Sequence, residues 1–254
     1  MLYDTTADVI RKALRGLDLA PSAAAAKAGL SEKEVISASR GPTSSETLRL
    51  LAPALGLSPV ALANLPGFFP PSCELPGVTR LELPFDDETV NAWLIEDGAG
   101  GHLLFDTGDG ENDVREVLDQ LGIHGVEVFI THEHGDHVGG LKGLKPRISQ
   151  LHRPGAGSTV AGKLEIHSIP LPGHCEGALG YVISGLDVPV CVTGDALFSG
   201  SIGGCAAGEP YRQALAAIKK EIMTLPRETI LLPGHGPAST VGAEMLANPF
   251  LATA

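Results

Sequence analysis

Cysteine is scarce in this chain of 254 residues, and the four present stand apart: Cys73, Cys175, Cys191 and Cys205 form no CxxC pair. That spacing excludes a disulfide framework and a thiolate zinc ribbon, and it leaves four reduced thiols. Long apolar runs are missing too. No segment reaches the roughly 18 consecutive apolar residues that a bilayer crossing demands. The opening MLYDTTADVIRKALRGL alternates charge with short apolar steps instead of presenting a signal-peptide core. The expected location is therefore the cytosol, with no membrane partner. Positive charge is in deficit: 18 Lys and Arg against 30 Asp and Glu give a formal charge of −12. For the chain as a whole this disfavours a nucleic-acid partner, because phosphate binding relies on clustered cations. Two catalytic signatures are also absent, the GxSxG nucleophile elbow and the HExxH helix of zinc proteases.

The charge is unevenly spread. Residues 1 to 65 carry seven basic and six acidic side chains, and the remainder carries eleven against twenty-four. Between them lies LPGFFPPSCELPG, residues 65 to 77, where Pro66, Pro70, Pro71 and Pro76 remove backbone donors and stop any helix. Phe68 and Phe69 are too apolar for a free linker, so this segment is expected to be extended and docked on a neighbour. The division is thus a helical unit over 1–65, a proline-rich linker over 66–76 and a larger domain over 77–254. In the first unit apolar residues recur at helical spacing in short runs: Val9, Ile10, Ala13 and Leu14, then Ala24 to Ala28, then Val35 and Ile36, then Leu48, Leu51, Ala52 and Leu55. Ser31 with Glu34 forms a capping box, and Ser44 or Ser45 opens the fourth run. Four or five short helices are predicted. After the linker, strand-like runs such as VTRLELPF, HLLFDT, VEVFIT, LEIHSIP and TILLPG alternate with helix-like ENDVREVLDQLG and EPYRQALAAIKKEIMTL. That rhythm predicts an α/β or α+β domain, with sheets covered by helices.

The densest chemistry is THEHGDHVGG, residues 131 to 140, with three of the chain's nine histidines and an aspartate within six positions. A lone histidine on a turn is ordinarily solvated or structural. Three with an aspartate, at the end of the apolar run VEVFIT, argue for a metal site. In extended backbone, residues two apart face the same way, so His132 and His134 can converge on one ion. A turn at Gly135, with its tolerance of positive φ, can then bring Asp136 and His137 to another side of the pocket. Further donors stand downstream, each beside a glycine: His174 in LPGHCEG, Asp195 in VTGDALFSG and His235 in LLPGHGPAS. His132, His134 and His174 would hold one ion, Asp136, His137 and His235 a second, and Asp195 could bridge them. Two divalent ions sharing a water lower its pKa towards neutrality, which removes the need for a protein nucleophile. Five imidazoles and two carboxylates suit zinc best and also accept iron or manganese.

The HxHxDH cluster followed by His174, Asp195 and His235 resembles the metallo-β-lactamase superfamily over residues 77 to 254. The resemblance implies an αββα sandwich with a binuclear site at one edge between two sheets. It also places Asp106 of FDTGDG at the early aspartate that supports the ligand loop. LFSGSIGG with ETILLPGHGPASTVGAEMLANPF most resembles the glyoxalase II-like branch. This implies a hydrolase of thioesters or related esters and lactones, with Asp136 in the catalytic centre and a hydroxide shared by the two ions. Two departures bear on the substrate. Gly204 stands where those enzymes carry Lys or Arg, and 19 residues follow His235, too few for a helical C-terminal lid, so the N-terminal helices and Phe68 and Phe69 become the candidates to cover the cleft. The alternatives within reach of the same motifs are a persulfide dioxygenase with one iron and a DNA-binding regulator with a metal-dependent sensing domain.

Residues 20 to 63 are similar to the Cro and lambda-repressor type of helix-turn-helix domain, with Ala28, Gly29, Leu30 and Ser31 at the turn. Glu32 and Glu34 sit beside Lys33 and Arg40 in the segment that would meet DNA, where carboxylates would repel phosphates. A docking, dimerising or structural role is therefore favoured over DNA binding. Cys175, Tyr181 and Tyr211 read as packing residues, and His102, His124, His152 and His167 are assigned no role.

Overall fold

The computed structural model describes residues 1–155 and 157–252. Five short helices open the chain: α1 (Thr6–Gly16), α2 (Pro21–Ala28), α3 (Glu32–Ala38), α4 (Ser45–Leu51) and α5 (Pro59–Asn64). Each begins where the side-chain chemistry allows. Thr5 and Asp8 form a reciprocal capping box on α1, Ser31 and Glu34 do the same on α3, and Ser44 caps α4. Gly29 ends α2 in the left-handed conformation at φ 67°, which spares a β-carbon the steric clash of that region.

The remainder is a two-sheet sandwich. The first sheet contains β1 (Val78–Phe85), β2 (Glu88–Glu96), β3 (His102–Phe105), β4 (Val126–Phe129) and β5 (Ile148–His152), in that spatial order, with α6 (Asp113–Gln120), α7 (Gly135–Val138) and α8 (Leu141–Leu144) inserted along the chain. The β3–β4 and β4–β5 pairs are parallel, and the pairs before them antiparallel. Next come β6 (Ser158–Ala161), β7 (Leu164–Pro170), β8 (Leu179–Ser184) and β9 (Val190–Gly194), the short hairpin β10 (Leu197–Phe198) and β11 (Ser201–Ile202), then α9 (Glu209–Ala217), β12 (Ile230–Pro233), β13 (Ser239–Thr240) and α10 (Val241–Ala247). The second sheet has the order β13-β12-β9-β8-β7-β6.

Alternation of side chains sorts each sheet into two faces. Between the sheets lie Trp93, Ile95, Leu103, Phe105 and Phe129 from the first and Ile166, Tyr181, Ile183, Val192 and Leu232 from the second. The outer face of the first sheet meets Val114 and Leu118 of α6 and Leu144 of α8. The outer face of the second meets α9, α10 and the N-terminal helices. Here Val9, Ile10, Leu48, Leu51 and Leu62 share one apolar cluster with Leu171, Cys191, Leu197, Tyr211 and Leu231. The architecture is the predicted αββα sandwich, with a helical region at residues 6–64.

The join between α1 and the sandwich is close. A β-carbon at Gly16 would overlap the ring of Tyr211, and the Gly16 carbonyl accepts from the Gly208 amide at 2.9 Å. The proline-rich segment docks only in part. Phe68 packs on the same cluster as the N-terminal helices and Leu75 on the inter-sheet core, whereas Phe69 is 85% exposed, because the chain leaves the short 3-10 turn Leu65–Gly67 in extended backbone, where adjacent side chains point to opposite sides. No helix among the described residues is long and apolar enough to cross a membrane.

Because the N-terminal and sandwich residues share one cluster, Leu51→Ala should lower the stability of the whole chain by about 2–5 kcal/mol. Chemical denaturation should show one shifted transition, and a separate early transition for the helices would contradict the shared core.

Candidate metal centre

All seven donors named from the sequence come together in two neighbouring groups, five from loops that follow strands and Asp136 and His137 from α7. His132, His134 and His174 form one group and Asp136, His137, Asp195 and His235 a second, the donor atoms of each lying within 4.8 Å of one another. His132 and His134 leave the end of β4 in extended backbone. The chain then enters α7, with His134 in the N-cap position at φ −72° and ψ 151°. Gly135 therefore does not supply the positive φ expected of it. A helical turn, not a left-handed one, carries Asp136 and His137 round to the second group. The glycine that matters sterically is Gly139, where a β-carbon would overlap the Asp109 carbonyl.

The outer nitrogens of four imidazoles decide which way their inner nitrogens face. His137 Nδ1 donates to Asp106 Oδ2 at 2.8 Å, His174 Nδ1 to the Gly204 carbonyl at 2.8 Å, and His235 Nδ1 to the Thr89 carbonyl at 2.9 Å. His132 Nδ1 lies 3.0 Å from Thr131 Oγ1, whose own proton goes to Asp106 Oδ2 at 2.8 Å. The hydroxyl must then accept from the ring. With each Nδ1 committed outward, each Nε2 faces the centre, where it would offer a lone pair to a cation.

In the first group, His134 Nδ1 stands 3.1 Å from His132 Nε2 and 3.1 Å from His174 Nε2. One proton on His134 cannot serve both lone pairs, but a cation can: a tetrahedral zinc with nitrogens at about 2.0–2.1 Å holds them about 3.3 Å apart. In the second group, His137 Nε2 is 3.3 Å from Asp195 Oδ1 and 3.6 Å from Asp136 Oδ2, and His235 Nε2 is 3.3 Å from Asp136 Oδ2. His137 Nε2 and Asp195 Oδ1 are buried without a hydrogen-bond partner, a costly state that a cation between them relieves. Asp195 joins the groups, since its Oδ2 lies 3.5 Å from both His174 Nε2 and His235 Nε2. The residues thus fit two metal ions.

The electrostatics agree. Burial, reinforced by the neighbouring His137, pushes His132 down to about 4 and keeps it neutral. Burial also opposes charge on His235, but its hydrogen bonds to Asp136 and Asp195 outweigh that and lift it to about 9. Burial raises the Asp195 carboxyl, yet His137 and His235 hold it well below the usual carboxylate range. Protons on His137 and His235 thus occupy the charge role that a cation would take over.

Asp106 supports the ligand loop as the resemblance implies, and several further residues of the site escape a reading based on donor types. Asp106, at φ 60° and 2% exposed, receives the Thr131 amide and hydroxyl and the His137 ring in one carboxylate. Such strain in a non-glycine residue persists only where the surroundings enforce it. Asn91 and Trp93 of β2 both donate to the Pro233 carbonyl at 2.9 Å and so fix the loop that carries His235. At Gly234 a β-carbon would collide with Asp195 Oδ1. Tyr3, ahead of α1, stacks on His235 with ring centroids 4.6 Å apart, while Phe85 and Phe198 flank the same imidazole at 5.7 Å. The cover expected from Phe68 and Phe69 is therefore supplied on this side by Tyr3. Phe68 packs instead against Gly200 and the helices. Tyr181 is a packing residue as expected, its hydroxyl donating to the Ile130 carbonyl.

Comparison with known proteins agrees with this geometry. The model of the metallo-beta-lactamase superfamily matches residues 85–167, a span that begins beyond the N-terminal helices and contains the first four donors. A probable metallo-hydrolase, YqgX of Bacillus subtilis (strain 168), is 27% identical over 184 residues, covering 59% of this chain and 86% of the relative. An uncharacterized protein of Mycobacterium tuberculosis, Rv2581c, is 28% identical over 207 residues, covering 63% and 92%. Among solved structures, TTHA1623 in a di-iron-bound form shares 25% identity at a TM-score of 0.53, covering 67% of this chain and 100% of that one. ETHE1 from Myxococcus xanthus shares the fold at a TM-score of 0.55 and 23% identity, over 69% of this chain and 84% of its own. Residues 85–167 thus match the metallo-beta-lactamase superfamily, and the fold and the donor geometry agree with that match.

Because Asp106 orients both His137 and the Thr131–His132 pair, Asp106→Asn should weaken metal retention by about 10–100-fold, the usual effect of losing a partner that orients ligands. Competition with a chromogenic chelator measures this, and unchanged affinity would refute the orienting role.

Proposed function

We propose that this chain is a metal-dependent hydrolase of thioesters, or of closely related esters and lactones, working with two divalent ions held by His132, His134, Asp136, His137, His174, Asp195 and His235. The observation that carries the reading is the pair of donor groups joined by Asp195, with ring nitrogens facing inward. Zinc suits the donors best, and iron or manganese would also bind. When bound, such ions supply Lewis acidity towards a carbonyl and activate water near neutral pH.

The protein's own residues account for the rest. Asp195, buried beneath both groups, fixes their separation. Asp136 lies at the partly open edge of the second group, and its carboxylate oxygen not turned towards that group would take up a proton during the reaction and pass it to the departing group. The aromatic wall of Tyr3, Phe85 and Phe198 keeps water from the flank of His235 and strengthens the local electrostatics. Preference for a thioester rests on the glyoxalase II-like stretches around Gly200 and His235. Two filled donor groups favour hydrolysis over a single-iron dioxygenase. The N-terminal helices, with Glu32, Lys33, Glu34 and Arg40 exposed on or beside α3, act in this reading as a docked scaffold beside the cleft and not as a reader of DNA.

The chain, loaded separately with zinc, iron and manganese, should be assayed on acyl-glutathione, acyl-coenzyme A, lactone, phosphodiester and β-lactam substrates with oxygen uptake recorded in parallel. Thioester hydrolysis should lead the panel without oxygen consumption, and Asp136→Ala should lower its rate by about 100-fold or more. A variant as fast as the parent, or turnover that consumes oxygen, would sink this reading.

A further inference from the structure

Against a chain charge of −12, one stretch of α1 gathers three cationic side chains. Arg11, Lys12 and Arg15 line a cavity of about 480 Å³ whose opposite wall is Gly204 and Cys205. The carboxylate in its wall is Asp8, which is taken up by Arg11 along with a bond from Arg11 to the Ser39 carbonyl at 2.6 Å. Lys12 is held by Asp4 and by the Ile202 carbonyl at 2.8 Å, with its ammonium 4.9 Å from the Phe198 ring centroid. Arg15 makes no ion pair or side-chain hydrogen bond among the described residues, so its guanidinium is the uncompensated charge.

The cavity adjoins the metal centre. The Gly204 carbonyl that forms part of its wall is the group that accepts from His174 Nδ1, so one imidazole separates it from the first donor group. The residue at that position leaves room, since a β-carbon on Gly204 would meet nothing within 4 Å. The Phe198 ring under Lys12 also flanks His235, which links the α1 wall of the cavity to the second group.

We propose that this cavity seats a carboxylate on the thiol half of the substrate, with Arg15 as the residue that recognises it. The inference rests on the thioester reading above and specifies its leaving group: a thiol that carries a carboxylate. A planar guanidinium pairs with a carboxylate through two parallel hydrogen bonds. One uncompensated cation matches one carboxylate, whereas a polyphosphate would meet more repulsion than attraction from a surface so acidic. A recognising cation also has to be local here, because the field of the whole molecule repels anions.

The test uses the full-length chain and S-methylglutathione, which has the carboxylates but no thiol to capture a metal. Titration calorimetry should show the parent binding it about tenfold or more tightly than it binds the diethyl ester, the range expected for a charge-assisted pair. Arg15→Gln should remove that difference, and Arg15→Lys should restore part of it. In turnover, Arg15→Gln should raise KM for acyl-glutathione about tenfold while leaving kcat, and both constants for an uncharged N-acetylcysteamine thioester, unchanged. Arg15 is exposed and unpaired, so the variant should fold as the parent does. Equal binding of the acid and its ester, no binding by the parent, or an Arg15-dependent preference for coenzyme A would each overturn the proposal. Carboxylate-dependent binding without hydrolysis of any thioester would support the cavity and refute the catalytic reading. Hydrolysis indifferent to Arg15 would do the reverse.

Discussion

Four imidazoles whose outer nitrogens are all committed to acceptors are what the rest of this site depends on. Asp106, Thr131 and the carbonyls of Thr89 and Gly204 each claim an Nδ1 proton, directly or through a hydroxyl. The inner nitrogens are left to converge on the centre from different loops. Lone pairs and carboxylates packed in a buried pocket repel one another unless positive charge lies among them. The unsatisfied His137 Nε2 and Asp195 Oδ1 express the same demand. A cation bound there would therefore couple to the fold: the strands bring the loops together, and a cation among them would lower their energy.

The sandwich supplies rigidity where this convergence needs it. Side chains from both sheets interlock in the inter-sheet core and end just below the donors, while Asn91 and Trp93 tie one sheet to the His235 loop of the other. On the outer face of the second sheet, the N-terminal helices complete a hydrophobic layer instead of standing off as an appendage. Their placement brings Tyr3 onto His235 and α1 alongside Gly204. A helical region that begins as a packing partner thereby reaches both sides of the site.

Much of this was legible in the residues. Side chains separated by up to a hundred positions could be placed in the two groups in which the structure brings them together, because histidine and aspartate at strand ends beside glycine are conspicuous. The helices of residues 6–64 followed from capping serines and short apolar runs. The long strands β1 and β7 fell where β-branched alternation placed them. Strands β5 and β6 did not show, since ISQLH and STVA are largely exposed edge segments with little apolar signal. The helical turn at Gly135 was concealed because a glycine after HEH fits a left-handed turn equally well, and only the tertiary seat against the Asp109 loop decides. Tyr3 carries no local signature at all. Its role depends on where α1 docks, and docking is a property of the shared core.

The most direct measurement is the metal content of the reconstituted chain after exhaustive desalting, determined by elemental analysis for the parent and for His137→Ala. Two ions per parent chain and one in the variant is the expected result. A parent chain that retains no transition metal, or a His137→Ala chain that retains as much as the parent, would contradict the convergence of lone pairs on a pair of cations.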